Sequence, residues 1–378
     1  MVKTPIYLDN AASTRVHPDV VAIMGAYMSG EFGNASSTHQ MGRRARVMVE
    51  QARRSIAKLL KAQAGQVFFT SGGTEANNAI LFGCHYYLGR RHFISSKLEH
   101  PSVLKMLDFL QYSRQCEVQF VQHSPKGVVD LEHLEHLLQT NRGAVVSLMH
   151  ANNETGNILD VKVAGALCQK YGALIHSDTV QTAGKVSLDM ELLQLDFASF
   201  SAHKFHGPQG VGAVFIRNRN GMKQFIHGGD QERTLRAGTE NVAGIMGMAK
   251  ALEIAVTDML AVSAGISELR NFLIEELPRA IPGMEFAGDA LGNALPAILN
   301  IVLPVKISPA LLLPKLDLHD ICLSSGSACA SGSSKPSAVL TAMGIDPEIP
   351  NLRISLSRFN TMDDCRVLIS VLRKILVK

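Results

Sequence analysis

The chain has 378 residues, 46% hydrophobic and 19% charged, with 37 Lys and Arg against 33 Asp and Glu. That length exceeds one ordinary core and predicts two domains, and the composition is that of a soluble globular protein rather than a disordered or fibrous one. A net charge of +4 gives no support for a nucleic-acid partner, and no apolar run is long enough to span a bilayer. The stretch Met1–Asn10 lacks the apolar core of a secretory signal. The six cysteines (84, 116, 168, 322, 329 and 365) show no Cys-x-x-Cys or Cys/His ligand spacing. A reducing, cytoplasmic setting is expected, with most of these thiols buried as small apolar groups.

Tyr7 to Ser13 reads as a short strand running into a turn, and Glu31 to Thr38 as a polar loop. From His39 to about Leu60 apolar residues recur at steps of three and four, with arginines and lysines between them. The five arginines from Arg43 to Arg54 are expected on the solvated face of that helix. Strand-like runs then alternate with helical ones. Strands are predicted at 67–70, 91–95, 118–121, 143–149, 173–176, 197–200 and 211–216, and helices at 74–85, 131–138 and 161–171. Short, unbroken apolar strands separated by helices imply a mostly parallel sheet covered on both faces. Helices at 241–260 and 266–280 follow. Beyond Pro282-Gly283 come strands at 299–303, 321–323 and 352–356 mixed with helices at 309–316, 336–343 and 362–376. The expected division is a large α/β domain over 15–258 and a smaller α+β domain over 259–378, completed by residues 1–14.

In such sheets ligands bind beyond the carboxyl ends of the strands, so the residues just after each strand are the ones to collect. Ser71-Gly-Gly-Thr74 opens a helix and suits an anion, though it lacks the Gly-Lys-Thr of a nucleotide loop. Asp178 follows a strand, where a carboxylate can keep a pyridine nitrogen protonated or simply cap a helix. Gln181 and Asn153 could bond a ring oxygen, and His100 could stack and move protons. Ser201-Ala-His-Lys204 ends an apolar run, and a lysine held there can add to an aldehyde, which is how pyridoxal phosphate is anchored. Cys329 lies in Ser324–Ser334, the most Gly/Ser-rich part of the chain, where a thiolate could approach a substrate and swing away.

Taken in order, these motifs resemble a known family. They are Tyr7-Leu-Asp-Asn-Ala-Ala, Phe69-Thr-Ser-Gly-Gly-Thr-Glu, Glu99-His-Pro, Asn152-Asn-Glu-Thr-Gly, Ser201-Ala-His-Lys, His227-Gly-Gly with Gln231-Glu-Arg, Arg236-Ala-Gly-Thr, Ser325-Gly-Ser-Ala-Cys and Arg353-Ile-Ser-Leu-Ser-Arg. From about residue 5 to 360 the chain is similar to cysteine desulfurases of the NifS/IscS type, class V aminotransferase-like enzymes of fold-type I. The resemblance implies an α/β, three-layer fold of the pyridoxal-phosphate-dependent transferases, like aspartate aminotransferase, with a smaller α+β C-terminal domain. It implies that L-cysteine is converted to L-alanine (EC 2.8.1.7), leaving a persulfide on Cys329. It further implies that Lys204 joins the pyridoxal phosphate, His100 stacks on its ring, Asp178 pairs with the ring nitrogen, and Gln181 and Asn153 sit near the ring oxygen. Gly73, Thr74, Ser201 and His203 would hold the phosphate. Thr239 would reach the phosphate of a second subunit, which makes a homodimer necessary. Arg353, assisted by Asn34, would grip the substrate carboxylate.

The sulfur acceptor implied is a protein, either an iron–sulfur scaffold or a tRNA-thiolation carrier. The one metal role left open is transient iron–sulfur ligation by Cys329. Another pyridoxal phosphate transaminase or lyase, or an idle sulfur-carrier subunit, remains an alternative, as does selenocysteine as substrate. One departure stands out: Asp230 replaces the glycine that commonly follows His-Gly-Gly in the family.

Overall fold

The computed structural model of the chain describes residues 5–219, 221–304, 309–326 and 337–376. Twelve strands are present among them: β1 (Ile6–Tyr7), β2 (Val67–Thr70), β3 (His92–Ser96), β4 (Glu117–Val121), β5 (Val145–Ser147), β6 (Leu174–Asp178), β7 (Phe197–Ser201), β8 (Gly212–Ile216), β9 (Glu285–Ala287), β10 (Ile298–Val302), β11 (Ile321–Cys322) and β12 (Asn351–Ser355). Seven form the main sheet in the order β2-β8-β7-β6-β5-β3-β4. All run parallel except β8, which is antiparallel to both β2 and β7. The link from β7 to β8 carries only a short 3-10 turn, Ala202–Lys204, and no crossover helix, so the chain reverses instead of crossing over.

Strands β2, β5, β7 and β8 are buried along their whole length, as their unbroken apolar runs require. Alternation then sorts the side chains to the two faces. Phe93, Val145, Phe197 and Val214 join the helices Gly73–Tyr86 and Pro101–Arg114 in one core. Ile94, Val146, Ala198 and Phe215 join Gln40–Leu59 and Val242–Thr257 in the other. Each fully buried Phe contributes about 1.5–3 kcal/mol, so the three layers are held mainly by these two cores. Gly212 is where the sheet is tightest. A Cβ there would lie 2.4 Å from the Phe200 carbonyl oxygen and 2.6 Å from Gly72 Cα, which no side chain allows.

Beyond Thr257 the helix breaks at Asp258 and resumes at once as Met259–Ala280. β12, β10 and β9 form an antiparallel sheet, and β1 pairs in parallel with β11. Leu8 therefore shares a core with Leu273, Ile301, Ile354 and Leu368.

One expectation needs correction. Arg43, Arg44, Arg46 and Arg54 are exposed, but Arg53 is buried with 2% of its side chain accessible. Its two terminal nitrogens each donate to one carboxylate oxygen of Glu232 at 2.7 Å, and its Nε donates to Glu50 at 3.0 Å. Position 53 flanks Ala52 and Ile56 on the buried stripe, and a charge is tolerated there only because Glu232 meets it.

Candidate active site

The carboxyl ends of the strands bring the collected residues to one cavity of about 160 Å³. Gly73, Thr74, His100, Asn153, Asp178, Gln181, Ser201, His203, Lys204 and Arg353 all line it, joined by Ala11, Ala12, Asn77, Ser102 and Val180.

Lys204 closes the 3-10 turn after β7. Its Nζ donates to the carbonyls of Ala11 at 2.6 Å and Ala12 at 2.8 Å, so the N-terminal turn is part of the floor of the site. Gln181 Nε2 donates to the same Ala11 carbonyl at 3.0 Å, while its Oε1 accepts from Lys185 Nζ at 3.2 Å. Burial, reinforced by the nearby Lys204, pulls the pKa of Lys185 down to about 7. Burial also lowers that of His203 to about 4, with the two lysines adding to the effect, so His203 is neutral at ordinary pH.

Asp178 ends β6. Its Oδ1 accepts from Val180 N at 3.0 Å and its Oδ2 from Asn77 Nδ2 at 2.7 Å. No basic side chain forms an ion pair with it among the described residues. The same Asn77 Nδ2 donates to Ser102 Oγ at 2.8 Å, and Ser102 Oγ lies 2.7 Å from His100 Nδ1. His100 caps the helix Pro101–Arg114, its Nδ1 accepting from Ser102 N at 3.1 Å, which leaves Nε2 as the ring nitrogen that bears a proton. Asn77 and Ser102 escaped the sequence reading. The available signal was spacing, since Asn77 lies four residues after Gly73 on the same helix face.

The helix Gly73–Tyr86 begins without a side-chain cap, leaving its first turn to an anion. Gly73 is needed there because a Cβ would lie 2.8 Å from Val180 Cγ2. The Asn152-Asn153 pair divides its work. Asn152 Oδ1 accepts from Glu154 N and Thr155 N and its Nδ2 donates to Leu98 O, which shapes the turn, and Asn153 faces the cavity.

Arg353, on β12, is 1% exposed. It donates to Asp9 Oδ1 at 2.8 Å and to the Asn153 carbonyl at 3.1 Å, while its buried Nε has no partner among the described residues. Glu99 is also buried. Its Oε1 accepts from Met149 N at 2.7 Å, its Oε2 has no partner among the described residues, and burial holds its pKa well above the usual carboxylate range, with nearby Asp178 acting in the same direction.

Two expected residues stand apart from the cavity. Asn34 is exposed, and its Oδ1 is engaged by Ser36 N at 2.9 Å in a local turn. Thr239 is exposed on the segment after Arg236, whose guanidinium pairs with Glu75 at 3.0 Å. Cys329 lies outside the described residues. Asp230 is exposed and has an ordinary φ of −89°, so no glycine is required at that position.

Pyridoxal phosphate fits this donor set. The uncapped helix start with Thr74, Ser201 and His203 suits its phosphate, Lys204 its aldehyde, and the buried Asp178 carboxylate its pyridine nitrogen.

The aminotransferase class-V family model matches residues 6–368. The chain belongs to this family. It is 38% identical to the cysteine desulfurase IscS of Dictyoglomus turgidum, over 100% of this chain and 96% of that one. A solved NifS-like protein superposes with a TM-score of 0.91 at 36% identity, covering 99% of each chain. The structure of SspA in complex with cysteine matches with a TM-score of 0.80 at 29% identity, over 94% of this chain and 99% of that one. The resemblance drawn from the ordered motifs is borne out, as is the α/β fold it implied.

Proposed function

We propose that the protein is a cysteine desulfurase, which uses pyridoxal phosphate to move the sulfur of L-cysteine to Cys329 and releases L-alanine. The observation that carries this reading is the convergence of Lys204, Asp178, His100 and an uncapped helix start on one cavity with a buried arginine, in a chain whose full-length relatives are cysteine desulfurases. The solved relative holding cysteine supports the choice of substrate.

When bound, pyridoxal phosphate supplies an electron sink for the substrate's α-carbon. Lys204 anchors the group. Asp178, oriented by Asn77 and Val180 N, keeps a proton on the pyridine nitrogen. His100, with Nδ1 committed to Ser102, moves protons through Nε2. Arg353, held by Asp9 and the Asn153 carbonyl, grips the substrate carboxylate. Cys329, as thiolate, forms an S–S bond to the substrate sulfur as the substrate's C–S bond breaks. The carbon keeps the electron pair and takes up a proton, so cysteine becomes alanine and the enzyme thiol a persulfide.

In a homodimer Thr239 of one subunit reaches the phosphate in the other, which accounts for its exposure here. The persulfide passes to an acceptor protein, such as an iron–sulfur scaffold or a tRNA-thiolation carrier, in the cytoplasm.

Two variants test the reading. Lys204→Ala is expected to lose the yellow colour of the loaded protein, and Cys329→Ser to keep it while losing alanine production. Alanine release by Cys329→Ser at the parental rate would show that this thiol is not the nucleophile.

A further inference from the structure

Glu154 follows Asn153 in the turn at 152–156, yet it does not line the cavity. It is 3% exposed, and no basic side chain forms an ion pair with it among the described residues. Its Oε2 accepts from Ser337 Oγ at 2.5 Å, and its backbone carbonyl accepts from Asn300 Nδ2 at 3.2 Å. The Ser337 hydroxyl in turn accepts from Leu340 N at 3.0 Å and so caps the helix Ala338–Ala342.

Gly326 reaches the same carboxylate. A Cβ there would lie 3.1 Å from Glu154 Oε2 and 3.0 Å from Ser337 Cβ, and its φ of 75° is left-handed, so both space and backbone call for glycine. Positions 326 and 337 therefore meet at Glu154, and Cys329 lies on the chain between them. Ser324, two residues before Gly326, is fixed as closely. Its Oγ donates to Asp9 Oδ2 at 2.7 Å, and its carbonyl accepts from Arg353 N at 2.7 Å. Asp9 and the Asn153 carbonyl also hold the Arg353 guanidinium. The two groups that hold the arginine are thus tied, directly or one residue along, to both ends of the stretch that carries the thiol.

We infer that Glu154 is a positioning residue for sulfur transfer: it pins Gly326 and Ser337 side by side next to the partners of Arg353, and so keeps Cys329 tethered close to a substrate gripped by its carboxylate. Holding a carried group by both ends raises its effective concentration at a nearby site, and releasing one end lowers it. Substrate binding itself does not need this carboxylate, because Arg353 is held by Asp9 and a backbone carbonyl. The inference rests on Cys329 being the nucleophile.

A single turnover of the loaded protein with L-cysteine gives two readouts. The concentration that half-saturates the visible absorbance change reports substrate binding, and the rate of alanine release reports transfer. Hydrogen exchange over residues 337–343 in the cofactor-stripped protein gives a third, which involves no catalysis. Glu154→Met removes the acceptor at similar size, whereas Glu154→Gln can bond the Ser337 hydroxyl through either edge of its amide. In Glu154→Met alanine release should fall at least about threefold while half-saturation stays within about twofold. Exchange over 337–343 should quicken in the same variant, and Glu154→Gln should recover most of the lost rate. A smaller fall in alanine release, a weakening of cysteine binding that matches the loss of rate, or unchanged exchange would each overturn the proposal. Should Glu154→Met fail to fold, Ser337→Ala is read by alanine release and half-saturation, with the same outcomes supporting or overturning it. Alanine release by Cys329→Ser at the parental rate would instead remove the functional reading, and exchange in Glu154→Met would still report whether the carboxylate holds Ser337.

Discussion

Asp178 is held by the amide of Asn77, at 2.7 Å, and forms no ion pair among the described residues. Because the same Nδ2 reaches Ser102 Oγ, one side chain orients both the Asp178 carboxylate and, through Ser102, the ring of His100.

Asn77→Ala should therefore weaken pyridoxal phosphate binding and slow turnover together, while the fold survives. A hydrogen bond to a charged group is worth about 1.5–3 kcal/mol, which corresponds to a loss of roughly 10- to 100-fold. Spectrophotometric titration of the cofactor-stripped variant measures it. Parental affinity would mean Asp178 needs no such support.

Gly73→Ala places a methyl group 2.8 Å from Val180 Cγ2, on the turn whose Val180 N–H serves Asp178. Overpacking of this kind costs about 1–3 kcal/mol. Because the strain falls on the cavity wall, cofactor affinity is expected to drop about tenfold or more. Equilibrium dialysis against pyridoxal phosphate would reveal it, and an unchanged affinity would mean that the Val180 turn yields freely.

The Arg53–Glu232 pair governs a different region. Glu232, Arg233 and Thr234 all have left-handed backbones (φ 47°, 56° and 67°), a conformation these residues seldom adopt. Glu232 is buried beside them and also accepts from Phe69 N at 2.8 Å. Arg53→Ala strands that carboxylate, so unfolding in urea should register a loss of about 3–5 kcal/mol. A loss below about 1 kcal/mol would be that of an exposed pair and would contradict the buried geometry.

Glu99 gives a pH-dependent stability. Burial raises its pKa, so the native state keeps a proton that the unfolded chain releases. The unfolded state then binds fewer protons, and stability falls as pH climbs above the ordinary carboxyl range. Glu99→Gln keeps an oxygen for Met149 N–H and removes the titration. Its stability relative to the parent should rise between pH 5 and pH 8, as read from urea midpoints. A difference that stays flat with pH would show that Glu99 does not hold this proton.

Residues placed just after strands were legible in the sequence, because chain order and strand periodicity alone fix where Asp178, Ser201 and Lys204 emerge. Groups that act across the fold were not. The Ala11 and Ala12 carbonyls are backbone atoms with no signature, and Asn77, Ser102 and Glu232 acquire their roles only when distant segments meet. Arg53 was misread because helical spacing marks a stripe without saying which charges find partners on it. The helices Pro18–Gly30 and Pro101–Arg114 were not assigned, although each opens with His-Pro and is capped by the histidine, Pro at the first turn being a start signal. The antiparallel course of β8 was equally hidden, since an apolar run carries no direction.

The bond between Asp9 and Arg353 joins positions 344 residues apart, and β1 has no strand partner until β11 has been made. During synthesis the start of the chain must therefore wait, unpaired, for nearly all the rest to leave the ribosome. The large sheet can form ahead of that moment, but Arg353 and the N-terminal turn meet only at the end. Incomplete chains would thus carry Lys204 without its finished surroundings.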